Sequence, residues 1–403
     1  MLEKAIYGDK KYWAWVIFLL VLMGLGSGFY VMQFQEGLTV TGLSRDVSWG
    51  FYIAQFTYLV GVAASAVMLV LPYYLHNYKK FRNMIILGEF MAIGAVIMCL
   101  GFIVVDLGQP QRLMNVIMYP TPNSILFWDM VVLNGYLLLN IVIGWHTLHA
   151  EKKGVKPAGW VKPLIYLSIF WAFSIHTVTA FLYQGVPGRH YWLTAIMAAR
   201  FLSSAFCSGP AILLLLALLV KKITKYDPGR EAVQTLAKII TYAMCINVFF
   251  FLLEVFTAFY SNIPGHMLPI KFLFVGVHGH APLAIFMWTA AVLAITSLVI
   301  LIPPKFRNNM ELLVVGLIAL VIATWIDKGM ALIVGGFTPN MFEGVTVYMP
   351  TGAELMISLF VYATGALVVT ILWKVAIGVK REIGELEAEH PEALDAPLGG
   401  SKG

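Results

Sequence analysis

The chain has 403 residues, 60% of them apolar and only 12% charged, with a mean hydropathy of +0.82 and a net charge of +6. A soluble domain is roughly 45–50% apolar and about 25% charged, and an excess of this size has no polar surface to hide beneath. A soluble enzyme, a nucleic-acid binder and a disordered chain are excluded, and long apolar runs exclude the short alternating strands of a β-barrel. The expected fold class is an all-α polytopic membrane protein in a lipid bilayer.

The first twelve residues, Met1–Tyr12, are charged, and the apolar run that follows is full length, so no cleavable signal is expected. Runs of about 20 apolar residues cross a bilayer as helices. Ten are predicted, over 13–33, 51–75, 84–105, 124–147, 162–184, 194–220, 235–260, 280–302, 311–333 and 353–378. The ninth is the weakest, because it carries Asp327 and Lys328. An even count puts both termini on one side. Of the 27 Lys and Arg, 21 fall on that side, four (Arg45, Arg112, Arg189 and Lys271) on the other, and two inside spans. Such a bias predicts cytoplasmic termini in the cell membrane. The acidic, Gly-rich stretch 381–403 reads as a disordered cytoplasmic tail. The outer loops 106–123, 184–192, 261–280 and 335–349 are rich in turn, aromatic and His residues, and read either as partner-binding surfaces or as plain turns. The Trp and Tyr near span ends read mostly as an interfacial belt.

An internal repeat runs at an offset of 143 residues. Thr57–Ala66 and Arg200–Gly209 share aromatic-Leu-x-small-x-x-x-Ser-small, and small residues at four-residue spacing let helices approach closely. Both copies start at the outer face, which makes the repeat parallel. The expected layout is a cytoplasmic N-terminus (1–12), a first span and outer loop (13–50), two four-helix bundles (51–184 and 185–334), and an outer loop with the tenth span (335–380). The first and last spans flank the bundles, and none of the spans is expected to be broken.

Ionisable groups inside a span are costly, and are functional or paired. By helix rise, Gln55 lies about 6 Å, Asp129 about 8 Å and His176 about 12 Å below the outer surface, with Arg200, Glu254 and Asp327 each at about 9 Å. In the first bundle Gln55 and Tyr58 share a helix face. So do His176, Thr179 and Tyr183, and so do Asp129, Tyr136 and Asn140. A His, a carboxylate, an amide and phenols at one depth suit a quinone, whose carbonyls need donors and whose reduction moves two protons. Asp129 and His176 are the candidate proton-exchanging pair, with Gln55, Tyr58, Thr179 and Tyr183 completing the pocket. Interhelical hydrogen bonding alone is the competing reading. Glu89 and Asn140 lie deeper, as a possible proton path. Arg200, Glu254, Asp327 and Lys328 balance in charge and read as a buried ion network or a second ligand site. Arg45, Asp46, Gln109, Arg112 and Arg189 are rare polar residues of the outer loops and read as a docking surface. Cys99, Cys207 and Cys245 lie in apolar runs without CxxC or CxxCH, so no iron–sulfur cluster, haem or other metal of the chain's own is expected.

Ser48-Trp49-Gly50-Phe51-Tyr52, the small-residue helix after it, Asp106-Leu107-Gly108-Gln109-Pro110-Gln111-Arg112-Leu113, and Pro120 with Ser124 and Trp128 resemble the NrfD/PsrC family. These are quinone-interacting membrane subunits of respiratory oxidoreductases. The similarity covers nearly the whole chain, and the ten-span length is similar to the branch that includes HybB, HmcC and DsrP. Tyr119–Ser124, Ser174–Phe181 and Pro187–His190 look most like DsrP, the membrane subunit of the DsrMKJOP complexes of sulfur-metabolising prokaryotes. The resemblance implies two four-helix bundles, a menaquinone pocket near the outer face of the first, and no redox metal in this subunit. It also implies four partners: a periplasmic ferredoxin-like iron–sulfur subunit (DsrO-like), a multihaem cytochrome c (DsrJ-like), a haem b membrane subunit (DsrM-like) and a cytoplasmic iron–sulfur protein (DsrK-like). A haem b cytochrome would need paired His at one depth, and His176 has only His280 as a marginal mate. A secondary transporter would explain midspan charge but not a parallel repeat.

Overall fold

The computed structural model describes residues 1–224 and 226–389. Among them are ten helices long and apolar enough to cross a membrane. They are α1 (Lys10–Val40), α2 (Phe51–Leu75), α3 (Lys79–Asp106), α4 (Ile125–Lys152), α5 (Val161–Gln184), α6 (Met197–Ile223), α7 (Arg230–Tyr260), α8 (Ala284–Leu301), α9 (Met310–Phe337) and α10 (Gly352–Ile383). The helix of α10 continues to Glu389, and the remainder of the acidic tail, 390–403, lies outside the described residues.

Helices α2 to α5 form one four-helix bundle and α6 to α9 another. Helices α1 and α10 pair with each other, and α10 packs on α3. Each seam has a local cause. The Trp373 indole donates to the Leu87 carbonyl at 2.9 Å, tying α10 to α3. The two bundles meet at the repeat itself. A side chain on Gly209 of α6 would come within 2.8 Å of the Gly61 carbonyl of α2, so only hydrogen fits there. The parallel copies are thus each other's packing surface, and α2, buried on every side, is the centre of the molecule.

All ten spans run without interruption, as expected, but two change their winding locally. In α2 the backbone tightens to a 3-10 turn at Ala64–Ala66, beside the close approach to α6. In α9 it widens to a π turn at Ile326–Ala331, which holds Asp327 and Lys328. An inserted residue of this kind turns side chains toward a face they would otherwise miss.

The ends of the described chain lie together. Lys4 pairs with Glu382 at 2.8 Å, and Glu151 holds both Lys380 (3.1 Å) and Arg82 (3.4 Å). On the opposite face Thr351 and Glu354 cap α10 reciprocally: Thr351 N–H donates to Glu354 Oε2 at 2.9 Å, and Glu354 N–H to Thr351 Oγ1 at 3.3 Å. Glu354 also accepts from Gly42 N–H at 2.8 Å and from the Tyr348 hydroxyl at 2.5 Å. That carboxylate therefore pins the loop after α1 to the start of α10.

Candidate functional site

In the first bundle α4 and α5 meet through a hydroxyl and a carboxyl. Thr179 Oγ1 lies 2.7 Å from Asp129 Oδ1 and also 2.7 Å from its own helix's Ile175 carbonyl. A hydroxyl has one proton for two acceptors. When Thr179 serves Ile175, a protonated Asp129 can donate to it; when Asp129 is ionised, Thr179 can turn to it. Both residues are buried, so the pair can hold or release a proton without rearrangement of the helices.

His176 sits one turn before Thr179. It is fully buried, and neither Nδ1 nor Nε2 has a hydrogen-bond partner among the described residues. Its ring stands edge-on to Phe206 of α6, 6.5 Å between centroids. A buried polar group left unpaired costs about 1–3 kcal/mol, so an imidazole with two free nitrogens is a place prepared for a ligand or water. Tyr183, two turns on, hydrogen-bonds Thr57 of α2. Above it, at the end of the bundle away from the termini, Trp49, Trp192 and Phe337 pack edge-on or stacked at 5.0–5.9 Å. Trp192 is fully buried and its indole donates to the Leu332 carbonyl at 2.8 Å, not the belt position expected for it. The start of α6 is therefore sunk below the outer end of α9, and Arg200 is carried deeper than helix rise from its own end implies.

Gln55 and Tyr58 do share a face of α2, but that face looks at α9 and α10. Gln55 Oε1 accepts from Trp325 Nε1 at 2.8 Å and from the Tyr362 hydroxyl at 2.7 Å, while its Nε2 is unpartnered. Tyr58 reaches the Val321 carbonyl at 3.4 Å. Thr57, on the other face, is the α2 residue that joins the α4–α5 group. The expected pocket thus divides into two polar sets on either side of α2.

The expected ion network also divides. Arg200 pairs with Glu254 and, at 3.2 Å, with Asp327. Lys328 forms no salt bridge among the described residues; its ammonium donates to the Phe201 carbonyl at 3.3 Å and lies 4.5 Å from that residue's ring. The π turn aims it into the seam between the bundles, beside Gly61. Deeper in the first bundle Glu89 Oε2 is buried and unpartnered beside Gly144, one turn from Asn140, which donates to the Tyr136 carbonyl at 2.8 Å.

The candidate docking residues all lie in loops at the face away from the termini. Arg45, Gln109 and Arg112 are exposed, and Gln109 accepts from Gln111 at 3.0 Å. Asp46 accepts from Thr346 at 3.0 Å. Arg189 caps the end of α9, donating to the Phe337 carbonyl at 3.2 Å with its guanidinium 4.5 Å over that ring, and burial holds it below the ordinary arginine range. Sequence reasoning missed the Trp49–Trp192–Phe337 cluster, for which no spacing signal exists, since the three residues come from three separate segments.

A family model described as "Polysulphide reductase, NrfD" matches residues 39–340. The chain is 28% identical to the Hdr-like menaquinol oxidoreductase integral membrane subunit of Archaeoglobus fulgidus over 62% of each chain. It is 25% identical to the menaquinone reductase integral membrane subunit of Nitratidesulfovibrio vulgaris over 91% of each. It is also 24% identical, over 89% of each, to a Halobacterium salinarum protein that carries the name of a dimethyl sulfoxide reductase membrane component. With the matched region running from the end of α1 to just past α9, and with its ten spans, the chain belongs to the NrfD, or polysulphide reductase, family.

Proposed function

We propose that this chain is the quinone-interacting membrane subunit of a respiratory oxidoreductase complex, exchanging electrons between menaquinone or menaquinol and an iron–sulfur subunit docked on the face away from the termini. The observation that carries the reading is His176, fully buried with both ring nitrogens free, one turn from the Thr179–Asp129 bond. Two relatives are named for menaquinol or menaquinone chemistry, which supports the same substrate class.

Bound menaquinone takes up two electrons and two protons, and menaquinol returns them. His176 suits a quinone oxygen, because a neutral imidazole offers one donor and one acceptor. Asp129, with Thr179 as its switchable neighbour, suits the proton that follows. Lys328 brings an amine into the same seam beside Gly61, where a donor can meet negative charge developing on a quinone oxygen. Tyr183 and Thr57 hold α5 against α2 beneath the aromatic cluster, which keeps water from the seam.

The finer reading is a DsrP-like subunit of sulfur metabolism, with DsrO-, DsrJ-, DsrM- and DsrK-like partners and cytoplasmic termini. It rests on the sequence resemblance and on the charge bias of the loops. Asp129→Asn preserves size but removes proton exchange, so quinone-coupled turnover should fall about 10²-fold or more in an assembled complex. His176→Ala should also weaken quinone binding. Parent-rate turnover with a menaquinol analogue in both variants would overturn the assignment.

A further inference from the structure

A second opening lies in the other bundle and faces the bilayer sideways. Helices α7, α8 and α9 leave a groove of about 170 Å³ between them. Val248, Met287 and the three α8 alanines Ala290, Ala291 and Ala294 line it, and the alanines leave the space, since larger side chains there would close it. Exposed Leu252 and Ile295 mark the mouth, in the middle of spans whose apolar surface faces lipid. Phe251 and Phe274, in tilted contact at 6.0 Å, line one wall, and Trp288 stands edge-on to Phe274 at 5.4 Å.

The closed end of this apolar groove is polar. Asp327, on the π turn, lines it with its side chain still 19% exposed, about 15 Å from the end of α9 by helix rise. Arg200 holds that carboxylate at 3.2 Å, and its exposed edge is what the groove meets. Asn247 lines the same end. Its Oδ1 accepts from Ser203 at 3.4 Å, and its Nδ2 makes no hydrogen bond among the described residues.

The charges at that end select the occupant. A phospholipid headgroup or a fatty-acid carboxylate needs a free cation, but Arg200 is already engaged by Glu254 and Asp327, and Asp327 itself repels an anion. The head must therefore be neutral, flat enough to lie along an aromatic wall, and able both to accept from an amide and to donate to a carboxylate. We infer that this groove binds the ring of a second isoprenoid quinone entering from the bilayer, with a carbonyl oxygen on Asn247 and, in the reduced form, a hydroxyl donated to Asp327. The choice of a quinone over another neutral lipid rests on the function proposed above. The site itself is separate from His176 and lies on the far side of the Arg200 cluster.

The test is photolabelling of the assembled complex in lipid nanodiscs with a diazirine-bearing menaquinone analogue, followed by peptide mapping. Adducts are expected on 244–252 and 287–298, competed by unlabelled analogue, and reduced roughly tenfold in Ala294→Phe, which fills the groove. Adducts on α5 near His176 are scored separately. Labelling there alone overturns this inference and leaves the first site standing. Labelling of the groove alone keeps the inference and removes the first site. A diazirine phospholipid that labels the groove as strongly as the quinone probe, without competition, also overturns it. If Ala294→Phe does not assemble, competition in the unaltered complex decides the matter.

Discussion

The Lys328 ammonium of α9 donates to the Phe201 carbonyl of α6 at 3.3 Å and meets no carboxylate among the described residues, although Asp327 is its neighbour in sequence. Neighbours on a helix point about 100° apart. On the π turn, Asp327 turns to Arg200 while Lys328 turns into the seam toward Gly61. The two charges therefore do different things. Asp327 completes an ion triad, and Lys328 places an amine where the two bundles touch.

Lys328→Met keeps the stem and removes the charge. Removing a buried amine that has no ion partner removes its desolvation cost, and leaves behind only the Phe201 carbonyl at 3.3 Å. The variant should assemble with unchanged or raised thermal stability. Quinone-coupled turnover should fall, because the amine in the seam is lost. Wild-type turnover in a normally assembled variant would remove Lys328 from the site.

Arg200 behaves in the opposite way. Arg200→Met strands Glu254 and Asp327 as unpaired carboxylates, and breaking a buried pair from one side costs about 3–5 kcal/mol. Yield and melting temperature in detergent should both drop. Adding Glu254→Gln and Asp327→Asn removes the stranded charges and should recover most of the loss. Failure of the triple variant to recover would mean that Arg200 holds the fold through packing, for example over the Phe251 ring 5.4 Å away.

Gly209→Ala tests the contact at the repeat. The added methyl would sit 2.8 Å from the Gly61 carbonyl and 3.2 Å from Ser65 N, both backbone atoms that cannot step aside. Overpacking of this kind costs about 1–3 kcal/mol. A lower melting temperature is expected, together with perturbed turnover, because α2 and α6 carry the seam beside His176. Gly28→Ala, where an added methyl meets nothing within 4 Å, is the control that should change neither.

These residues also mark where sequence reasoning reached and where it stopped. Span number, the parallel repeat and the burial of Asp129, His176 and Thr179 follow from hydropathy and helical spacing, which are properties of one chain segment at a time. Gln55 and Tyr58 show the limit: spacing places them on one face, but only the packing of α9 and α10 tells which neighbour that face meets. Likewise Asp327 and Lys328 read as members of one ion network with Arg200 and Glu254, whereas the π turn points them to different neighbours. A backbone insertion of one residue leaves no hydropathy signal, and neither does the sinking of Trp192 beneath the end of α9.

Arg112 is the remaining test, and it concerns the partner. It is exposed in the loop after α3, and Asp106 Oδ1, its nearest candidate for an intrachain tie, has no hydrogen-bond partner. Arg112 therefore does not hold its own loop through that carboxylate. Charge reversal, Arg112→Glu, should leave the helical fold and melting temperature unchanged. A rim charge acts on encounter rate and its salt dependence, so the variant should lose the docked subunit at lower salt than the parent does on size-exclusion chromatography. An Arg112→Cys variant adds the orientation. Cys99 and Cys207 are buried and Cys245 half-buried, so a membrane-impermeant maleimide should mark position 112 above a low background. The loop charge bias predicts that this label arrives from the periplasmic side. Labelling only from the cytoplasm would invert the topology and move the partner to the face that carries Lys4 and Glu382.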